Sequence, residues 1–280
     1  MRLDETLGPA HGVYFDADSL VASKRSALQL IEVYDTPDLG LLLRLDGCNM
    51  VSERDEFLYH EALIHPAALA HPAPKRALIV GGGDGGAAEE LLKHPGITAC
   101  TLCEIDAEVV AVARKHLVAV HHGVFDDPRL RLCIGDARDL LAKADAAYDL
   151  VFLDLTDPVG PAAALYTADG LRRCKGTLAP GGALVTHIGS PFSHPARIRQ
   201  AVTDLREVFR HVTAYFIHIP MYGALWGFAH GSDTIDLSSV GAAEFDVRRI
   251  GCNLPDIAWA SGQAIAAACV LPPWVRREVG

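Results

Sequence analysis

Positive charge is in short supply: 25 Lys and Arg stand against 35 Asp and Glu, for a net charge of −10. An acidic chain repels phosphate backbones, so nucleic acid is not expected as a partner. The start, Met1-Arg2-Leu3-Asp4-Glu5, lacks the basic flank and apolar run of a secretory signal. Membrane-length apolar runs are missing too. The longest uncharged stretch, Ile257 to Val275, is broken by Ser261-Gly262-Gln263 and Pro272-Pro273, and is expected to be buried core. Cysteines are too few and too scattered for a disulfide framework. Seven is an odd number, and the pattern suits a reducing, cytoplasmic setting. Cys100-x-x-Cys103 has no second pair or nearby His. It falls in an apparent strand, where residues three apart face opposite sides, so no metal or redox site is expected there. Repeats and low-complexity segments are absent as well.

Half the residues are hydrophobic and 21% are charged, which implies a sizeable core. The chain divides by periodicity. Residues 1–51 read as a small antiparallel β domain, with strands at Gly12–Phe15, Leu28–Tyr34 and Leu41–Leu45. Turns Asp35-Thr36-Pro37-Asp38 and Asp46-Gly47 punctuate it, the second closing the unit. Residues 52–280 read as a Rossmann-like α/β domain. A helix from Ser52 to Leu69, capped by Ser52, leads into strands at 77–80, 98–104, 130–134, 150–153 and 183–186. Helical segments separate the earlier strands, which implies a parallel sheet covered on both faces.

In such a sheet, ligands sit beyond the carboxyl ends of the strands, and four acidic residues fall there: Asp84, Glu104, Asp136 and Asp154. The first strand runs into Gly81-Gly82-Gly83-Asp84-Gly85-Gly86. A glycine loop lets the backbone approach a ligand closely, but Asp84 opposes a phosphate and no lysine follows to make a P-loop. A nucleoside without phosphates fits better. Glu104 is placed to accept two ribose hydroxyls and Asp136 an adenine amino proton, which suggests an S-adenosyl ligand; the alternative is that both merely cap helices. A carboxylate at Asp84 favours a tail carrying an ammonium alone over one that also carries a carboxylate. That points to decarboxylated S-adenosylmethionine rather than the intact molecule.

These residues resemble the polyamine aminopropyltransferases, the spermidine synthase family, from about Gly12 to Phe216. The similarity rests on Asp46-Gly47, Glu53-Arg54-Asp55-Glu56-Phe57-Leu58-Tyr59-His60-Glu61, Gly81 to Gly86, and Asp154-Leu155-Thr156-Asp157-Pro158-Val159-Gly160-Pro161. The resemblance implies a β domain followed by a Rossmann-like domain, and an enzyme that is a homodimer or homotetramer. It implies decarboxylated S-adenosylmethionine as co-substrate, a diamine or polyamine as acceptor, and no prosthetic group or metal. By the same resemblance Asp154 is the proton acceptor and Asp157 helps hold the amine. Tyr59, His60 and Tyr222 line the amine and aminopropyl pocket. Gln29, Gly81, Gly82, Gly83, Asp84, Glu104, Asp136, Ala137 and Pro161 contact the adenosyl ligand. Departures cluster on the acceptor side: Met50 stands for a usual Gln, Met221 for Thr, Gly189 for a frequent acid, and Ala260–Ile265 for a Tyr-x-Pro-x-x-His pattern. Fewer fixed charges there imply loose acceptor selectivity.

The chemistry explains the residue types. An amine attacks the carbon beside a sulfonium and a neutral thioether departs, so no general acid is needed. The acceptor is a lysine-like ammonium with a pKa near ~10.4, and a carboxylate must orient it and take its proton. Other readings stay open. Asp154 and Asp157 form a plain turn in one, Tyr222 belongs to an aromatic core, and His60 is a satisfied buried histidine. His121-His122 reads as solvated. A methyltransferase-like relative and a non-catalytic nucleoside- or polyamine-binding protein are the competing functions.

Overall fold

The computed structural model describes residues 1–142, 147–158, 160–254 and 257–280. Its amino-terminal part is all β. Strands β1 (Arg2–Gly8) and β2 (His11–Asp16) pair as a separate hairpin. Strands β3 (Ser19–Arg25), β4 (Leu30–Thr36), β5 (Gly40–Leu45) and β6 (Cys48–Ser52) form an antiparallel meander in that order. The three expected strands are β2, β4 and β5. Strands β1, β3 and β6 add to them; β3 is exposed at most positions and so lacks the apolar alternation that marks a strand in sequence. Asp46-Gly47 does not end the unit. Both residues have positive φ (47° and 83°), a hairpin geometry that turns β5 back onto β6.

Ser52 therefore belongs to β6, and the first helix, α1 (Glu56–Ala70), begins four residues later than its expected start. The Ser52 hydroxyl donates to the Asp55 carboxylate at 2.5 Å, whose other oxygen accepts the Met221 N–H at 2.7 Å. The apparent helix cap is thus a tie between α1 and a distant turn.

Alternating units follow: β7 (Arg76–Gly81), α2 (Gly86–Leu92), β8 (Ala99–Glu104), α3 (Ala107–His116), α4 (Val118–His121), β9 (Leu130–Ile134), α5 (Ala137–Leu141), β10 (Tyr148–Asp154), α6 (Ala168–Gly176), β11 (Leu178–Gly189) and α7 (Pro195–Val208). An antiparallel pair, β12 (His211–Ile219) and β13 (Ala224–Ser232), completes the sheet in the order β12-β13-β11-β10-β7-β8-β9. The β11-to-β9 neighbours are all parallel. Runs such as Ala77-Leu78-Ile79-Val80 and Leu150–Leu153 are almost wholly buried because helices cover both faces. Alternate residues feed different cores: Ile79 and Phe152 go to one, and Val80 and Leu153 to the other. Cys100 and Cys103 divide in the same way, and burial pushes their thiols up to about 12 and about 11.

The carboxyl-terminal helices α8 (Ala242–Gly251), α9 (Gly262–Ala268) and α10 (Pro273–Val279) form an outer layer. Ile257 to Val275 is not core. Ala260, Gly262, Ile265 and Val275 are buried, whereas Val270 and Trp274 face solvent, so the stretch is an amphipathic cover. What holds it is Glu61, fully buried in α1, whose carboxylate accepts the N–H groups of Ala258, Trp259 and Ala260 at 2.7 Å each. His121 departs from expectation too: it is buried against Phe125, and only His122 is exposed.

Candidate active site

Strand β7 sends the chain to β8 and β9 on one side and is flanked by β10 on the other. Such a switch point opens a crevice beyond the strand ends. A cavity of about 330 Å³ lies there. Gly81 and Asp154, the last residues of β7 and β10, are register partners, so the glycine loop and the Asp154 carboxylate start from one point. A Cβ on Gly82 (φ 71°) would come to 2.9 Å of Asp154 Oδ2, and one on Gly86 to 2.2 Å of the His60 ring. The glycines thus make room for side chains that converge on the cavity.

Thirteen of the fourteen expected site residues line it: Gln29, Tyr59, His60, Gly81, Gly82, Gly83, Asp84, Glu104, Asp136, Ala137, Asp154, Pro161 and Tyr222. Asp157 is the exception. It is half-exposed and its Oδ1 accepts from Arg197 Nη1 at 2.6 Å. Met50 lines the cavity, whereas Ile265 belongs to the carboxyl-terminal layer and Met221 packs on Leu3 and Leu42. Val159, within the block that carries Asp154, lies outside the described residues.

Several carboxylates share this space. Asp154 is partly buried, and its Oδ2, an enclosed atom, has no hydrogen-bond partner among the described residues. Burial, then the charge of Asp84, raises its carboxyl from 3.8 to about 6, with His60 and Tyr59 pulling the other way. Glu104 is raised to about 7, chiefly by burial, although its Oε1 accepts the Asp106 N–H at 2.8 Å. Asp84 accepts the Gly86 N–H at 2.8 Å. Asp136 caps α5 through the Arg138 N–H at 2.8 Å, and the Arg138 side chain holds its carboxyl below the usual range. Capping and cavity lining therefore coexist at Asp136. The cap of α3 is Asp106, not Glu104.

His60 is the cation of this cluster. Its Nδ1 lies 2.6 Å from Glu56 and its Nε2 lies 3.6 Å from Asp84. Burial disfavours the imidazolium, but the Glu56 hydrogen bond and the charges of Asp84, Glu56 and Asp154 outweigh it and raise the group to about 10. His60 is thus a buried histidine satisfied by Glu56 and at the same time a wall of the cavity. Tyr59 packs edge-on against His60 and Tyr222, and Tyr222 packs at 4.5 Å on Trp226 while donating to the Met50 carbonyl at 3.0 Å. Tyr222 is thus both a wall of the cavity and part of an aromatic cluster.

Sequence reasoning overlooked Glu56, although its i, i+4 spacing to His60 on α1 was a usable signal. It also overlooked Asp106, whose carboxylate accepts from Ser26 at 2.6 Å and from the Gln29 amide at 3.0 Å, fixing Gln29 across the meander–sheet junction. No local pattern links residues so far apart in the chain. A cavity walled by carboxylates and aromatic rings suits a cationic ligand with an apolar stem, and Asp154 is poised to accept a proton.

The chain matches the family model of the spermine/spermidine synthase domain over residues 56–239. A polyamine aminopropyltransferase of Nitrosomonas europaea is 43% identical over 272 residues, covering 97% of this chain and 84% of that one. Another, from Aeropyrum pernix, is 38% identical over 89% of this chain and 81% of its own length. A crystal structure of spermidine synthase in complex with the transition-state analogue AdoDATO superposes with a TM-score of 0.94 at 31% identity, covering 100% of this chain and 95% of the other. The spermidine synthase of Thermotoga maritima gives 0.91 at 29%, over 100% and 94%. With the fold, the crevice and these likenesses in agreement, the chain belongs to the spermine/spermidine synthase family of polyamine aminopropyltransferases.

Proposed function

We propose that this aminopropyltransferase moves the aminopropyl group of decarboxylated S-adenosylmethionine to a primary amine, most simply putrescine, giving spermidine and methylthioadenosine. One observation carries the reading. The Asp154 carboxylate, with a free oxygen, opens on the same cavity as Asp84 and Glu104. The amine nitrogen attacks the carbon beside the sulfonium, the C–S electron pair goes to sulfur, and the ammonium proton passes to Asp154. The neutral thioether leaves without acid or metal. Tyr59 and Tyr222 offer ring faces to the methylene chain, and the carboxylates around His60 hold the ammonium of the donor.

On the donor side, Gly81, Gly82 and Gly83 give the nucleoside a bare backbone. Glu104 receives the ribose hydroxyls and Asp136 the adenine edge, with Gln29, Ala137 and Pro161 completing the walls. Asp84 penalises the carboxylate of intact S-adenosylmethionine, which favours aminopropyl over methyl transfer. The reading includes a domain division at 51/52, close to the end of β6. It also includes a homodimer or homotetramer in the cytoplasm, a compartment suited to free thiols. The test is incubation with either sulfonium donor and a panel of amines, with products identified by mass. Methylated amines, or products only from intact S-adenosylmethionine, would overturn it.

A further inference from the structure

We infer that Arg197 sets acceptor selectivity: paired with Asp157 at the mouth of the site, it leaves the far end of the acceptor facing a neutral ion pair, so amines with one positive charge are taken as readily as diamines. The inference rests on the transfer reaction proposed above. Asp154 and Thr156 line the cavity, and Asp157 lies beyond the lining with its side chain 49% exposed. A linear amine whose reacting nitrogen meets Asp154 therefore runs outward past Thr156 toward Asp157. The carboxylate it meets there already holds a guanidinium at 2.6 Å.

Arg197 is not a loose surface side chain. It is 16% exposed, its Nη2 lies 3.5 Å from His187 Nδ1, and its guanidinium carbon sits 5.8 Å from the Tyr166 ring centre. A Cβ on Gly189 would come to 3.4 Å of that carbon, an ordinary contact, so the guanidinium packs directly over Gly189, whose φ of 86° is what favours glycine there. The third residue of α7 is a poor place for a cation, because the first turn of a helix carries positive partial charge; Asp157 offsets this. His187 adds no charge. Burial, then Arg197, holds it neutral, lowered to about 4, while its Nε2 meets the Leu155 carbonyl at 2.8 Å.

Glu5, an acid whose charge is felt at Asp157, is not held in an ion pair: burial raises its carboxyl, while the Asn49 N–H, donated at 2.9 Å, and the charge of Arg44 offset this in part. His194 is partly buried, which lowers its pKa and favours its neutral form. A second ammonium that reaches the other oxygen of Asp157 thus meets a carboxylate whose charge Arg197 already balances, and gains less there than at an unpaired acid.

The experiment compares kcat/KM for n-butylamine and 1,4-diaminobutane, which share a carbon chain, in wild type, Arg197→Gln and Arg197→Gln/Asp157→Asn, with melting curves as a folding check. Wild type should use the two amines within about tenfold of each other, once free-amine fractions are matched. Arg197→Gln should raise the diamine-to-monoamine ratio by about tenfold or more through a lower KM for the diamine, the size of one charge-assisted bond. The double variant should lose that gain. Transfer with an unchanged ratio, an equal change for both amines, or a gain that survives in the double variant overturns the inference alone. No transfer to either amine by the wild-type protein overturns the reaction and the inference together.

Discussion

Replacing Asp154 by Asn separates the proton-transfer role from every structural one. The carboxylate is partly buried, repelled by Asp84, and raised from 3.8 to about 6. At about 1.36 kcal/mol per pH unit, that shift brings the base about 3 kcal/mol closer to an amine with a pKa near ~10.4, and so lowers the cost of proton transfer. The same shift has a stability consequence of opposite sign. A carboxyl whose folded pKa is raised binds protons more tightly when folded, so its contribution is present at low pH and lost as pH rises through about 6. Asn cannot ionise. At pH 8 the variant should therefore be more stable than wild type by as much as about 3 kcal/mol, and the difference should fade below pH 4. Turnover at pH 7 should fall by about 10²–10⁴-fold, the worth of a positioned base. It should then climb with pH toward the amine pKa, while wild type levels off above about 6. Donor affinity by calorimetry, denaturant melts at both pH values and a pH–rate profile check all of this. Near-normal turnover at neutral pH, or a variant whose rate ignores pH, would refute the reasoning.

Asp84→Asn should reduce the preference for decarboxylated over intact S-adenosylmethionine, measured as a ratio of dissociation constants. An unchanged ratio removes Asp84 from donor selection. Donor binding at pH 6.5 should release protons, because ribose hydroxyls donating to Glu104 (about 7) and a cation arriving beside Asp154 (about 6) favour their ionised forms. Calorimetry in buffers of different ionisation enthalpy measures the number released, and net uptake would contradict the sign. Glu61→Gln, which weakens three charge-assisted bonds to the carboxyl-terminal cover, should cost about 2–4 kcal/mol in urea melts and speed proteolysis after residue 254. A loss below about 0.5 kcal/mol would show that the cover is held by its apolar contacts instead.

Much of this protein is local in sequence. Strands β7 and β10 were legible because strands buried on both faces need unbroken apolar runs. The carboxylates at their ends were legible because parallel strands deliver their ends to one edge of the sheet. Tertiary structure decided what no local pattern encodes. It carried β5 into β6 through a turn that looked like a boundary, and gave the Asp55 carboxylate to Met221 rather than to its own helix. It made His60 a cation by surrounding it with Glu56, Asp84 and Asp154. It turned the apolar carboxyl-terminal stretch outward onto Glu61, and brought Arg197 against Asp157 across 40 residues. The physical reason is the same in each case. Apolar burial and backbone pairing act through periodicity, which a sequence displays, whereas charge acts through distance and burial, and these exist only once the chain is folded.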